Sequence, residues 1–308
     1  MKGIFVKGGR LRPPWRVLLY LIAILLAILI LQVPIYLVYV SYLLARGETL
    51  DLTLFYPTNL PPLVSLLIAV TQLVAVLIVT HLFRRFLDGR DLGSLGLQKG
   101  WGWPDQWGFG LLLGFTLAVA IFLLELVGGW LTLTGFSVFS RKPGLTLLIL
   151  LNQAAFFLFS GASEEVVFRG YMLQNLQESW GSGVAVIISS LIFGLVHSLN
   201  PNTSFLALTN ITLTGVLFSY AYLVRRSLWL PIALHFSWNF SLGPLFSFPV
   251  SGLPSKGLLA VEVGQTDAFI TGGAFGPEGG LIGLVAVLAG IFLVWAWTRR
   301  MGWITVAS

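Results

Sequence analysis

Long apolar runs separated by short polar stretches dominate this chain. A membrane-crossing helix needs about 20 mostly apolar residues. On that measure the pattern predicts eight helices, near residues 17–45, 60–83, 107–133, 145–173, 182–198, 204–224, 228–246 and 280–298. Proline in "NLPPLV" suits the first turn of the second helix, and Pro34 is placed to bend the first. The stretch "RRFLDGRDLGSLGLQKGWGWPDQW" mixes charge, glycine and tryptophan. It reads as an interfacial segment, with Trp101, Trp103 and Trp107 at headgroup level. Residues 247–279, containing "GGAFGPEGG", read as a glycine-rich outer loop, re-entrant or disordered. No repeat of fixed period is present. The expected architecture is all-α: residues 1–308 as one polytopic membrane domain of about eight helices, with residues 145–246 as its core helices.

Composition agrees. Hydrophobic residues make up 56% of the chain and charged ones 10%, against about 25% charged in a soluble domain. The lipid bilayer is therefore the solvent for most of it. A net charge of +6 could suggest nucleic acid, but the basic residues sit at the ends of apolar runs, which excludes a basic binding face. The first apolar run follows Lys2, Lys7, Arg10, Arg12 and Arg16 and far exceeds the roughly 7–15 residues of a signal-peptide core, so it reads as a retained helix. With the N-terminus inside, the inner segments hold that basic head and Arg84, Arg85, Arg90, Lys99, Arg225, Arg226, Arg299 and Arg300. The outer ones hold only Arg46, Arg141, Lys142 and Lys256. That asymmetry puts both termini in the cytoplasm. Cysteine is absent, which removes disulfides and thiolate chemistry.

Ionisable groups at membrane depth cost at least about 2.5–3.5 kcal/mol each, so they usually face the bundle interior and have a function. All five aspartates fall in predicted loops. His81 closes the second helix beside Arg84 and Arg85, an interfacial placement, and Glu125 lies near the outer end of the third, interfacial or paired. What remains is "SGASEEVVFRGY" in the fourth helix, His197 in the fifth and His235 in the seventh. Glu165 precedes Arg169 by one helical turn, the favourable order for an ion pair, and an unpaired buried arginine would be very costly. Glu164, rotated by about 100°, has no basic partner at helical spacing. Its carboxylate is free to act as a general base. "FGLVH" puts Phe193 and His197 on one face, and "HFSWN" does so for His235 and Asn239. An imidazole and a carboxamide one turn apart can both donate toward a developing oxyanion. These groups together suit hydrolysis by an activated water. The set Glu164, His197 and His235 could instead hold a zinc ion.

Each pattern alone is common. Their order and their confinement to three neighbouring helices give them weight. At these residues the chain resembles the CPBP family, the type II CAAX prenyl endopeptidases and bacteriocin-processing membrane proteins. The resemblance runs over about residues 145–246 and is carried by EExxxR (Glu164, Glu165, Arg169), FxxxH (Phe193, His197) and HxxxN (His235, Asn239). The later "TGGAFGPEGGL" is similar to many bacterial members. The resemblance implies an intramembrane endopeptidase of a bacterial or archaeal cell membrane. In it Glu164 is the base, His197 assists, His235 and Asn239 stabilise the oxyanion, and Glu165 with Arg169 keeps the site's shape.

A membrane-associated peptide or protein, prenylated or not, would be the substrate, reached from the cytoplasmic side. No cofactor is required in this mechanism, with zinc as the alternative. HExxH, GxSxG and an aspartate within a span are all missing, which disfavours other protease chemistries. A proton-coupled transporter or a non-enzymatic scaffold is the competing reading, because buried Glu and His also serve proton relays. One tension remains. Counted from the cytoplasmic ends, His197 lies deeper than Glu164 and His235, so the fifth helix is expected to start before Trp180 or to tilt.

Overall fold

The computed structural model describes residues 5–7, 10–51, 56, 59–100, 102–136, 143–264 and 268–302. The predicted outer residues Arg141 and Lys142, the interfacial Trp101, and Lys2 and Asp267 lie outside them. All eight predicted helices are present: α1 (Pro13–Ala45), α2 (Pro62–Phe83), α3 (Trp103–Val127), α4 (Pro143–Glu165), α5 (Gln174–Val196), α6 (Phe205–Leu223), α7 (Trp229–Phe240) and α8 (Leu281–Arg300). Among the described residues, six stretches are long and apolar enough to cross a bilayer. One of them, Gly144–Leu199, is 56 residues long and doubles back on itself. Large apolar side chains face outward along the helices, among them Ile30, Val38 and Leu148. This is an integral membrane protein with an all-α bundle.

The double-back occurs at Gly181, whose φ of 75° and ψ of 172° are open to glycine but strained for other residues. Helix α4 runs on through wide π-helical turns at Val166–Leu173 and the first residues of α5 before this break. The fourth helix therefore ends well past residue 173, and the expected earlier start of the fifth is corrected. Glu164 and His197 lie at nearly equal chain distances on either side of Gly181, about 25 Å of helix rise each. They are level on antiparallel neighbours, and the depth mismatch disappears.

Two antiparallel ribbons accompany the bundle. The first, β1 (Val6–Lys7) with β2 (Arg10–Leu11), leads into α1. The second pairs β3 (Leu131–Phe136) with β4 (Leu259–Val263), Leu131 opposite Val263. The third helix was expected to reach residue 133. It stops at Val127 because Gly128 and Gly129 follow, the latter at φ +70°, and "LTLT", with β-branched Thr132 and Thr134, continues as strand. The described part of residues 247–279 is packed rather than loose: Phe248, Val250 and Phe275 are buried, and Gly252 and Gly276 admit the carbonyls of Pro201 and Pro249 where a Cβ would stand.

The start of α1, the end of α2 and the start of α5 meet around a buried ion cluster. Asp88 takes Arg16 at 3.0 Å and Arg84 at 3.1 Å, with the Asn175 amide at 3.4 Å. Arg84 also donates to Gln174, which reaches Tyr222 at 2.6 Å. Asp88 was expected in a loop. It sits in a π-helical extension of α2, nearly inaccessible, and joins three helices. Beneath this layer Tyr20 stacks on Tyr171 with ring centroids 3.9 Å apart. Trp103 and Trp107 gather on Trp229 at the same end.

Helix α7 is seated by α3. Gly110 and Gly114 are one turn apart, and a Cβ on either would fall 2.8 Å from the Leu230 or Leu234 carbonyl oxygen. Small residues at this spacing let two membrane helices approach backbone to backbone. Ser237 adds a 2.6 Å hydrogen bond to the Leu111 carbonyl. His235 is thereby fixed in height and rotation.

Candidate active site

Helix α4 delivers the glutamate pair just before its backbone widens into π-helical turns, a distortion common at functional sites. The neighbours point in different directions. Glu165 is fully buried and its Oε1 accepts from Arg169 Nη1 at 3.0 Å. Arg169 also donates through Nη2 to the Gly215 carbonyl at 3.0 Å. Its guanidinium lies over Phe193 at 4.4 Å and Phe218 at 5.2 Å, an aromatic cage suited to a desolvated cation.

The same Glu165 Oε1 accepts from His235 Nδ1 at 2.8 Å. One carboxylate oxygen thus orients an arginine and an imidazole from another helix. Phe218 stacks on the His235 ring with centroids 4.7 Å apart. With Nδ1 committed, Nε2 faces the other glutamate: Glu164 Oε2 is 3.8 Å away. Glu164 is 26% exposed at its side chain, and its Oε2 has no hydrogen-bond partner among the described residues.

His197 closes α5, where the helix tightens into a 3-10 turn. Its Nδ1 bonds the Phe193 carbonyl at 2.7 Å, which leaves Nε2 with the free lone pair. Phe193 therefore serves twice, its ring against Arg169 and its carbonyl orienting His197. Asn239 lies one turn beyond His235 on α7. Glu164, Phe193, His197, His235 and Asn239 all line a single cavity of about 600 Å³. Its other walls come from α1, α2, α6 and the loop before α8. Its most exposed wall residues, Leu25 and Val196, sit on the flanks of α1 and α5.

Zinc fits this arrangement poorly. Among the described residues no three His, Cys, Asp or Glu side chains group closely enough to hold a metal. His235 turns one nitrogen to Glu165, and His197 turns one to a backbone carbonyl.

Sequence reasoning missed two features. Glu165 orients His235 as well as pairing with Arg169, and spacing along one helix cannot reveal a partner on another. Glu278, a single acid in a glycine-rich run, also lines the cavity. Its isolation in "GPEGG" was the available signal. Of the remaining ionisable groups, Glu125 is buried on α3 with its Oε1 unpartnered among the described residues, whereas His81 is exposed.

Fold and site together define a polytopic helical membrane protein with a carboxylate–imidazole centre inside its bundle. Residues 146–241 match the family model described as type II CAAX prenyl endopeptidase Rce1-like, and the resemblance carried by the three motifs holds over that stretch. An uncharacterized 24.3 kDa protein of Escherichia coli is 32% identical over 100 residues, which is 32% of this chain and 45% of that protein. The chain thus spans about half the length of the curated relative it matches. No solved structure matches.

Proposed function

We propose that this protein is an intramembrane endopeptidase that hydrolyses a peptide bond of a membrane-associated substrate, prenylated or not, with a water activated by Glu164. The observation that carries this is the Glu164 carboxylate, whose Oε2 accepts no hydrogen bond among the described residues, in one cavity with His197, His235 and Asn239 and 3.8 Å from His235 Nε2. The match of residues 146–241 to an endopeptidase family supports the same reading.

Glu164 takes a proton from the water while its oxygen bonds to the carbonyl carbon, and the free nitrogen of His197 helps orient that water. Negative charge then collects on the former carbonyl oxygen. Asn239 donates to it through its amide. In the imidazolium form His235 donates too, through Nε2, while Nδ1 stays on Glu165; this charge balances the two carboxylates against Arg169 and His235. Donors fixed in a water-poor cavity stabilise such an oxyanion strongly. The proton on Glu164 passes to the departing amine, the C–N bond breaks, and an amine leaves with a carboxylic acid, which gives its remaining proton back to Glu164 or to solvent. The mechanism needs no metal.

The excess of basic residues at the arginine-rich end supports a cytoplasmic position for that end and for both termini. A mouth on the cytoplasmic side was expected from sequence. The exposed wall residues on α1 and α5 instead favour entry along the bilayer. Because the chain has no cysteine, Arg85→Cys and Glu48→Cys can be labelled from either side in intact cells. Labelling of Arg85→Cys from outside would reverse the orientation.

The decisive assay compares wild type with Glu164→Gln on membrane peptides in detergent, alongside metal analysis and chelator titration. Cleavage lost in the variant and indifferent to chelator is the expected result. Equal turnover by Glu164→Gln removes the base. A Glu164-sensitive flux in proteoliposomes without hydrolysis would mean transport.

A further inference from the structure

Glu278 has no role in the mechanism above, yet its carboxylate is held by three donors from two segments. Trp238 Nε1 donates to Oε1 at 2.9 Å. The Ser251 backbone N–H and hydroxyl donate to Oε2 at 2.5 and 3.1 Å. The backbone of Glu278 is fixed as well, since Asn210 Nδ2 donates to the carbonyls of Glu278 and Gly280 at 2.9 and 2.8 Å. Glu278 is 5% exposed and borders the cavity.

Both of its partners lead to the candidate site. Trp238 is the residue before Asn239 and lies one turn beyond His235. Ser251 accepts at its carbonyl from Asn200 Nδ2 at 2.8 Å. Asn200 in turn closes the turn after α5, its N–H bonding the His197 carbonyl at 3.1 Å. Thr203 caps the same turn through the Asn200 carbonyl at 2.6 Å. Ser251 adopts φ +49°, a left-handed conformation unfavourable for a residue other than glycine, so the loop keeps that shape only while its bonds hold it. Two acceptor oxygens aimed at an indole N–H and an amide N–H require a carboxylate. A carboxamide would turn its own N–H₂ toward one of these donors.

We propose that Glu278 is a positioning residue that ties the α7 turn bearing His235 and Asn239 to the loop holding His197, so that donors on α7 and the imidazole of α5 keep one spacing across the cavity. The proposal rests on the hydrolytic reading for its kinetic consequence, but the coupling itself is read independently.

The chain has only three histidines, so protein labelled with ¹⁵N-histidine gives three pairs of ring-nitrogen signals, assigned by His81→Gln and His197→Gln. Glu278→Gln is expected to shift or broaden the His197 signal and leave His81 in place, at an unchanged unfolding midpoint. Trp238→Phe, which removes only the indole donor, should move His235. A His197 signal untouched by Glu278→Gln overturns the proposal, as does a shift that appears only with a lowered midpoint. In the cleavage assay, Glu278→Gln should lower kcat about 10- to 100-fold with KM within about threefold. The double variant with Trp238→Phe should be no worse than the weaker single variant, because residues acting through one bond are not additive. Multiplying effects, or an unchanged kcat, also overturn it. If wild type cleaves nothing, the hydrolytic reading fails while the histidine signals still decide the coupling.

Discussion

Glu165 and His235, on different helices, share a 2.8 Å hydrogen bond from the His235 Nδ1 to the same oxygen that receives Arg169. Neighbouring glutamates therefore have separate duties, and replacing each should fail differently. Glu165→Gln strands a buried arginine, and removing one partner of such a pair costs about 3–5 kcal/mol. Glu164 is partly exposed and makes no hydrogen bond among the described residues, so Glu164→Gln should leave stability within about 0.5 kcal/mol. Denaturant titration in detergent separates the two. A Glu164→Gln protein as unstable as Glu165→Gln would mean that Glu164 is structural.

Asn239 offers a test confined to the transition state. Its amide borders the cavity and supports no neighbour among the described residues, so Asn239→Ala should fold normally. Loss of one oxyanion donor typically lowers kcat by about 10²–10³, and KM should barely change because the oxyanion does not exist in the ground state. A raised KM with unchanged kcat would assign Asn239 to substrate binding.

Much of this was legible in the sequence, for identifiable reasons. Apolar runs set all eight helices, because a bilayer demands continuous length. The EExxxR, FxxxH and HxxxN spacings are within single helices, where 3.6 residues per turn determines who faces whom. Bonds between helices were not legible: Glu165 to His235, Asp88 to Arg16, and Glu278 to Trp238 join residues far apart in the chain. The continuation of α4 to Gly181 was missed because polar residues such as Gln174, Asn175 and Gln177 mimic a loop, though the backbone there stays helical.

The seat of α7 on α3 predicts a defect without touching any ionisable group. Gly114→Leu puts a side chain where a Cβ already lies 2.8 Å from the Leu234 oxygen and the Trp238 nitrogen. Overpacking of this kind costs about 1–3 kcal/mol and shifts the backbone. Cleavage should fall together with the unfolding midpoint. Gly108→Leu, on the same helix but with open space around its Cβ position, should be silent in both. Equal defects at the two glycines would show that α3 tolerates no side chain anywhere, and that the α7 contact is not special.

Asp88 provides the last prediction, because one acid there compensates two arginines. Arg16 and Arg84 both end on its carboxylate, and both are nearly inaccessible to water. Asp88→Asn keeps the shape but turns an N–H₂ toward one of the arginine donors, and it leaves Arg84 facing a neutral group and Arg16 with only Glu178, 3.9 Å away. That arrangement should cost more than loss of a simple pair, on the order of 4 kcal/mol or above. The network joins α1, the α2 extension and the start of α5, so the variant should loosen the basic end of the bundle while the distant Glu165–Arg169 pair stays intact. Adding Arg16→Met removes one of the stranded charges and should recover part of the loss in the same unfolding titration. If the double variant is less stable than Asp88→Asn alone, Arg16 contributes through its 2.7 Å hydrogen bond to the Leu11 carbonyl and its 3.9 Å approach to Glu178 rather than through Asp88.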